Sequence, residues 1–303
     1  MAPYDDKKAL EEFAKSVNVI TFEFENIPVQ TAKYLEKFCE IYPKPEILEV
    51  SQDRLKEKRF INQNGIKTAE YKAIDKAEDV NLAADELGFP FIIKTCTEGY
   101  DGKGQWKINN NNDLTQSIET LDFTKQYVAE GFVNFSKEIS VIVTRGQDGE
   151  TKCFDVAENI HENAILKQSI VPANICQQTD FNAQEIAIKI ANKLDLVGVM
   201  AVEMFVCENN EIKVNELAPR PHNSGHYTLD ACYISQFEQL IRAICGHQLG
   251  STKRHSKVIM TNILGEEFYD IDKFFNQEDT KIHIYGKHGV RKNRKLAHIN
   301  KLS

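Results

Sequence analysis

Little in this chain speaks for an oxidised, membrane-bound or polyanion-binding protein. Cysteine is sparse and unpatterned: Cys39, Cys96, Cys153, Cys176, Cys207, Cys232 and Cys245 are odd in number and form no CxxC pair. That argues against a disulfide framework or a cysteine zinc site and points to a reducing compartment. No uncharged apolar run approaches the ~18–20 residues of a membrane-spanning helix. The start, Met1-Ala2-Pro3-Tyr4-Asp5-Asp6, is charged and lacks an apolar leader core. The expectation is therefore a cytoplasmic chain with no membrane partner. Positive charge is in deficit, with 37 Lys and Arg against 45 Asp and Glu and a formal net charge of −8. Nucleic-acid binders carry a basic footprint, so that partner is disfavoured. What is present is a core: 42% apolar residues in 303, enough for two or three domains.

Periodicity and punctuation give a mixed pattern of α and β. Residues 7–15 read as a helix, Val17 to Phe22 as a strand, and Pro28 to about Cys39 as a second helix closed by Pro43 and Pro45. The first fifty residues hold too few strands for a complete sheet, so the first domain is expected to be incomplete. Ser51 to Asn64 reads as one charged helix stopped at Gly65, and Asp75 to Gly88 as another. Phe91–Lys94 is a short apolar strand ending in a lysine, Trp106–Ile108 a further strand, and Asn109–Asn112 a polar turn. Residues 126–133 read as a strand, 138–156 as a hairpin around Asp148-Gly149, and 199–216 as a second hairpin. Helices are expected at 182–194 and 231–245, and strands at Val258–Leu264 and Lys281–Tyr285. Hairpins in the second half favour α+β over a plain doubly wound sheet.

Chemistry concentrates in four segments. If the 199–216 hairpin turns at Asn209-Asn210, Glu203 faces Glu216, Phe205 faces Val214 and Cys207 faces Ile212. Two carboxylates then oppose each other on an apolar face. Opposed like charges destabilise a sheet unless something neutralises them, and such a pair suits a magnesium ion that shares its shell with phosphates. Gly99, Gly102 and Gly104 surround Tyr100, Asp101 and Lys103, a loop whose backbone N–H groups suit phosphate; Lys94 lies just upstream. The run Asn215 to Tyr227 holds Arg220, His222, Asn223 and His226 on an irregular loop, with arginine and asparagine fit for a small oxyanion. Lys287, Arg291, Lys292, Arg294, Lys295 and His298 form a basic island: a solvated tail, or a site for a phosphate monoester.

The ordered set TFEFENIP (21–28), QDRLKEKRF (52–60), FPFIIK (89–94), GYDGKGQ (99–105), EGFVNFSKEISVIVTRG (130–146), ENIHENAIL (158–166), VGVMAVEMFV (197–206), VNELAPRPHNSGHYT (214–228), SQFEQ (235–239) and IHIYGK (282–287) resembles the 5-(carboxyamino)imidazole ribonucleotide synthases. These are ATP-grasp carboxylases of purine biosynthesis. The resemblance implies an ATP-grasp fold at 51–250, with lobes at about 51–130 and 131–250. It also implies a partial Rossmann-like N-terminal domain at 1–50 and a small β-rich C-terminal domain at 251–303. The implied ligands are ATP and Mg²⁺, the implied substrates 5-aminoimidazole ribonucleotide and bicarbonate, and the implied assembly a homodimer.

By the same resemblance, Arg54 and Lys94 hold ATP phosphates under a loop of Tyr100, Asp101, Gly102, Lys103, Gly104 and Gln105. Glu130, Gly131, Phe132 and Val133 form the adenine hinge, Glu138 accepts the ribose, and His161 belongs to the nucleotide site. Glu203 and Glu216 bind magnesium beside Asn215. Arg220, His222 and Asn223 receive bicarbonate, with Asp101 and Lys287 also in the catalytic set. Glu23 or Glu25, Tyr100, Asp101, Lys287, Arg294 and Lys295 receive the ribonucleotide. Three departures stand out. No glycine-rich GGGQLG-like element is present, Cys96-Thr97-Glu98 replaces the usual arginine-x-glycine, and Ala297-His298 replaces glycine-histidine. They keep open an ATP-binding protein without turnover, or a related ligase with another phosphorylated acceptor.

Overall fold

A small sheet and a large sheet face each other across a cleft. The computed structural model describes residues 2–97 and 104–303. Among the described residues no helix is long and apolar enough to cross a membrane, and all seven cysteines are free thiols.

The N-terminal segment opens with helix Lys7–Lys15, whose first turn is capped by the Asp6 carboxylate accepting the Ala9 N–H at 3.1 Å. Val19–Ile20, shorter than expected, pairs in parallel with Glu40–Ile41, a strand that the sequence pattern did not reveal. The expected second helix is only Val29–Leu35. Pro45 does not close a helix but opens one, Pro45–Ser51, in keeping with proline's preset φ at a helix start. The charged stretch after it is a separate helix, Arg54–Gln63, because Asp53 leaves the helical conformation and caps the N–H groups of Leu55 and Lys56. This break starts the helix at Arg54, which lines the cleft, and sets Lys58 one turn on, buried against Glu130.

The small sheet has the order Tyr71–Ile74, Tyr127–Gly131, Phe91–Thr95, Gln105–Ile108, all antiparallel. Helices Ala77–Leu87 and Asn111–Thr120 cover one face, burying Ile74, Val80, Phe91, Ile93 and Ala129. The second helix overturns the polar turn expected at Asn109–Asn112: Asn110 is an N-cap, accepting from Asn112 and Asp113. Asparagine suits caps as well as turns, so composition alone misled.

The large sheet runs Ile212–Ala218, Gly198–Cys207, Phe135–Arg145, Ala157–Glu162, Ile165–Val171, Val258–Leu264, Lys295–Leu302, Thr280–Ile284, with Thr151–Cys153 as a side strand. Helix Gln177–Lys193, five residues longer at its start than expected, packs Ala183, Ala187 and Ile190 against Val141, Met204 and Val214. Helix Gln236–Ile244 covers the other side beside Tyr227 and Val199, while Thr228–Ala231 forms its own short turn. The sheet passes unbroken from Ile165–Val171 into the C-terminal strands. The basic tail is therefore not loose: Lys295–Leu302 is an interior strand between two others.

The register of the 198–218 hairpin corrects one expectation and keeps another. The turn is not the two-residue Asn209-Asn210 but spans 208–210, with the Cys207 N–H donating to the Glu211 carbonyl, so Val206 faces Ile212, Phe205 faces Lys213 and Met204 faces Val214; a bulge then restores the facing of Glu203 and Glu216. The extra residue is Asn215. Val214 and Ile212 consequently turn into the core, and Cys207 pairs with neither. The carboxylates thus sit on a cleft face beside Phe205, not on an apolar face shared with Ile212 and Val214.

Candidate functional site

A cavity of about 420 Å³ occupies the cleft. Its base is the hairpin: Glu203, Phe205, Asn215 and Glu216 line it, as period 2 and the bulge require. One wall comes from the small sheet and the Arg54 helix, with Arg54, Glu57, Ile92, Lys94, Cys96 and Gln105. The opposite wall brings Glu138, His161, Leu166, Arg220, His222, Asn223 and Lys295, and Glu25 closes the N-terminal side. One cavity therefore gathers residues separated by more than two hundred positions.

The two hairpin carboxylates are held differently. Glu203 lies with its Oε1 3.0 Å from His222 Nε2. Burial works against its charge, but the His222 contact prevails and holds its carboxyl below the usual range. Glu216, 3.4 Å from Arg54 Nη1, keeps 40% of its side-chain surface open to the cleft. Burial of its carboxyl end and the facing Glu203 push it up, with Arg54 only partly opposing. Two carboxylates and the adjacent Asn215 amide form a hard-oxygen donor set facing a phosphate-sized space, which fits magnesium. Among the described residues no three His, Cys, Asp or Glu side chains cluster as a self-sufficient metal site.

Lys94 is nearly buried and donates to Glu130 Oε2 at 2.8 Å, while Lys58 Nζ lies 3.2 Å from Glu130 Oε1. Burial opposes the Glu130 charge, but the two lysines win and hold it at about 2. Glu130 thus stands behind Lys94 as its counter-ion. Neither it nor Gly131, Phe132 or Val133 is among the residues lining the cavity. Phe132 is exposed under the Lys107 ammonium, 5.0 Å from its ring centre. The adenine-hinge role of 130–133 thus rests on resemblance alone.

Of the glycine loop, Tyr100, Asp101, Gly102 and Lys103 lie outside the described residues. Gly104 has φ +69°, and a Cβ there would meet Thr95 Oγ1 at 2.7 Å, so glycine is required; Gln105 lines the cavity. Glu138 and His161 meet at 3.0 Å, Oε2 to Nδ1. Burial alone would lower the imidazole, but the carboxylate raises it.

The oxyanion candidates are already engaged. Arg220 grips Glu25 with two bonds, Nη2 to Oε1 at 2.9 Å and Nε to Oε2 at 3.1 Å. Asn223 and Asn262 exchange amide bonds at 3.0 and 2.6 Å. His226, half-buried and pushed down to about 3, contacts Asn223 and Tyr285 and is not among the residues lining this cavity. Of the ribonucleotide candidates, Lys295 lines the cavity, whereas exposed Glu23 and Lys287 and half-buried Arg294 do not. Lys287 donates to the Lys295 carbonyl at 2.9 Å, and Arg294 to the carbonyls of His288 and Gly289 at 2.5 and 3.1 Å.

Residues that motif reading passed over are as informative. Phe135 and Phe205 stack at 4.6 Å beside Ile92, an apolar slot within a charged cleft. Phe205 was legible, standing two residues after Glu203 and hence on its face. Glu57, 2% exposed, accepts the Leu217 N–H at 2.7 Å. Burial, reinforced by Glu216, pushes it up to about 8. Its only sequence signal is a place one helical turn after Asp53.

Known proteins align with this arrangement end to end. Residues 59–237 match the ATP-grasp domain family, 1–52 the ribonucleotide synthetase preATP-grasp domain, and 258–303 the phosphoribosylaminoimidazole carboxylase C-terminal domain. The N5-carboxyaminoimidazole ribonucleotide synthase of Brucella melitensis is 43% identical over 304 residues, covering 100% of this chain and 84% of that protein. The chain belongs to the N5-carboxyaminoimidazole ribonucleotide synthase family of ATP-grasp enzymes. A crystal structure of a purK N5-carboxyaminoimidazole ribonucleotide synthetase with ADP superposes with a TM-score of 0.95 at 44% identity, over 100% of this chain and 80% of that one. The Aspergillus clavatus enzyme, crystallised with ADP and 5-aminoimidazole ribonucleotide, gives 0.92 at 27%, over 100% and 81%. Within the bifunctional purine synthesis protein purC/E of Dictyostelium discoideum the family match is 42% identical, over 98% of this chain but 32% of that longer protein.

Proposed function

We propose that this chain uses ATP and bicarbonate to carboxylate 5-aminoimidazole ribonucleotide, giving N5-carboxyaminoimidazole ribonucleotide, ADP and phosphate. The observation that carries the reading is the facing pair Glu203 and Glu216, in one cavity with Arg54, Lys94, Arg220 and His222. A bicarbonate oxygen attacks the γ-phosphorus and ADP leaves. The amine nitrogen then takes the carboxyl carbon, phosphate departs, and the amine gives up a proton. Arg54 and Lys94 bind the phosphate oxygens, and the Phe135–Phe205 slot takes the flat base. Arg220 exchanges part of its hold on Glu25 for the bicarbonate oxygens. Lys295, with Lys287 and Arg294 beside it, offers charge to the ribonucleotide phosphate.

Glu203, Glu216 and Asn215 would hold Mg²⁺, which when bound supplies charge neutralisation to the transferring phosphoryl group. Residues 1–50, 51–250 and 251–303 serve as working units, the last two sharing one sheet, and a homodimer is the proposed assembly. The test is phosphate release by the purified chain with ATP, magnesium and bicarbonate, with and without 5-aminoimidazole ribonucleotide. Stimulation by the ribonucleotide, with the carboxylated product detected, is expected. Release that is absent, or indifferent to the ribonucleotide, overturns the reading.

A further inference from the structure

One buried polar chain in the large sheet has no role in the reaction as written above. We propose that Ser169, Asn159, Ser140 and Ser224 form a one-way hydrogen-bond relay that holds His222 as its Nε2–H tautomer, donating to Glu203 and unable to serve as the general base. The four relay residues are positioning residues: none lines the cavity, and the chain of bonds ends at His222 through Ser224.

The direction follows from a group that cannot turn. The Ser224 backbone N–H points at His222 Nδ1, 3.3 Å away. A backbone N–H only donates, so Nδ1 carries a lone pair and the ring proton is on Nε2. Nε2 lies 3.0 Å from Glu203 Oε1, a donor facing a carboxylate. The Ser224 hydroxyl, 2.8 Å from Nδ1, must also donate there. It is then free to accept from Ser140 Oγ at 2.8 Å. Ser140 in turn accepts from Asn159 Nδ2 at 2.9 Å, and Asn159 Oδ1 accepts from Ser169 at 2.8 Å. Each hydroxyl spends its single proton in the same direction.

Strand register builds the line: Ser169 is opposite Asn159, and Ser140 is opposite Glu203. All four relay residues are between 0% and 6% exposed, so no water is at hand to repair a reversed bond. The backbone of His222 is clamped as well. Gln236 accepts its N–H at 2.9 Å and donates to its carbonyl at 2.8 Å. Gly225 makes room for that clamp, since a Cβ there would meet Gln236 Oε1 at 2.6 Å.

The mechanistic consequence rests on the function proposed above. An imidazole already protonated at the nitrogen facing Glu203 takes no proton from the amine. It instead occupies one oxygen of Glu203 and leaves the other for a cation. The tautomer itself is tested without turnover. Full-length chain labelled with ¹⁵N-histidine and free of ligand is examined by long-range ¹H–¹⁵N NMR, with His222 assigned by its loss in His222→Gln. A proton on Nε2 and none on Nδ1 is expected; a proton on Nδ1 in the wild-type protein overturns the proposal.

Ser140→Ala is expected to give a measurable Nδ1–H population and a roughly 10-fold lower kcat at unchanged KM for ATP. Ser140→Thr, which keeps the hydroxyl, is expected to restore both. A folded Ser140→Ala with the wild-type spectrum and kcat also overturns the relay. If Ser140→Ala does not fold, the wild-type spectrum decides. A wild-type chain that fails the phosphate-release test refutes the function while the spectrum still decides the tautomer.

Discussion

Two groups of carboxylates, one buried and one half-open to the cleft, lie on facing sheets and are built on opposite logic. Glu130, in the small sheet, carries its own cations: Lys94 at 2.8 Å and Lys58 at 3.2 Å. Glu203 and Glu216, in the large sheet, carry each other, with one arginine at 3.4 Å and one imidazole at 3.0 Å. The first arrangement is closed and its acid is held at about 2. The second is open on the cleft side, and one of its acids is pushed up. A carboxylate with local counter-ions supports the fold and presents a lysine. Paired carboxylates without enough local charge fit the cation proposed above.

The sharpest way to break this contrast is to remove the closed acid. Glu130→Ala leaves Lys58 and Lys94 buried without a partner, and an uncompensated buried charge costs about 3–5 kcal/mol. Urea titration should show that loss. A stability within 1 kcal/mol of wild type would mean that the lysines reach water and that the cluster is not closed. Glu216→Gln should do the reverse. It relieves like-charge repulsion, so stability is kept or raised, while turnover falls by about 100-fold or more, roughly 2.7 kcal/mol. Activity and melting temperature measured on the same sample separate the two roles.

Glu57 lies between the groups and sharpens the comparison through pH. Its carboxyl is raised from near 4.5 to about 8 in the folded chain. Between those values the folded state holds a proton that the unfolded state has released, so stability falls as pH rises. Below about 4.5 both states are protonated and the loss vanishes. Glu57→Gln keeps an acceptor for the Leu217 N–H and cannot ionise. It should therefore gain about 2 kcal/mol over wild type on going from pH 6 to pH 8. Parallel curves for the two proteins would place the Glu57 carboxyl in its ordinary range. The smallest effect expected is at the cap that aims both clusters. Asp53→Ala should cost about 1 kcal/mol in stability and raise KM for ATP, since Arg54 begins the capped helix.

Legibility in the sequence followed the range of the interactions involved. The facing of Glu203 and Glu216 came out as expected only because two departures cancel: the turn spans 208–210, shifting the pairing by one, and the bulge at Asn215 shifts it back. The bulge was not legible, because it depends on Val214 and Ile212 finding the helix Gln177–Lys193 on the far side. Asn110 was misread because asparagine caps and turns look alike until a helix packs. Lys295–Leu302 was read as part of a basic tail because its partners lie at Val258–Leu264 and Thr280–Ile284. The resemblance assigned Arg220, His222 and Asn223 to bicarbonate, and all three line the cavity. It did not show that Glu25, Glu203 and Asn262 already hold them.

By itself the sequence determined the kind of protein. Its ordered motifs carry the resemblance to this ATP-grasp family, since they depend on residue type and local spacing, while its acidic balance and scattered thiols only disfavour other classes. Only the tertiary structure decided the electrostatics. Which carboxylate is neutralised and which one is raised depend on groups distant in the chain, such as Lys94 for Glu130 and Arg54 for Glu216. Burial strengthens their interactions and removes the water that would otherwise make them equivalent.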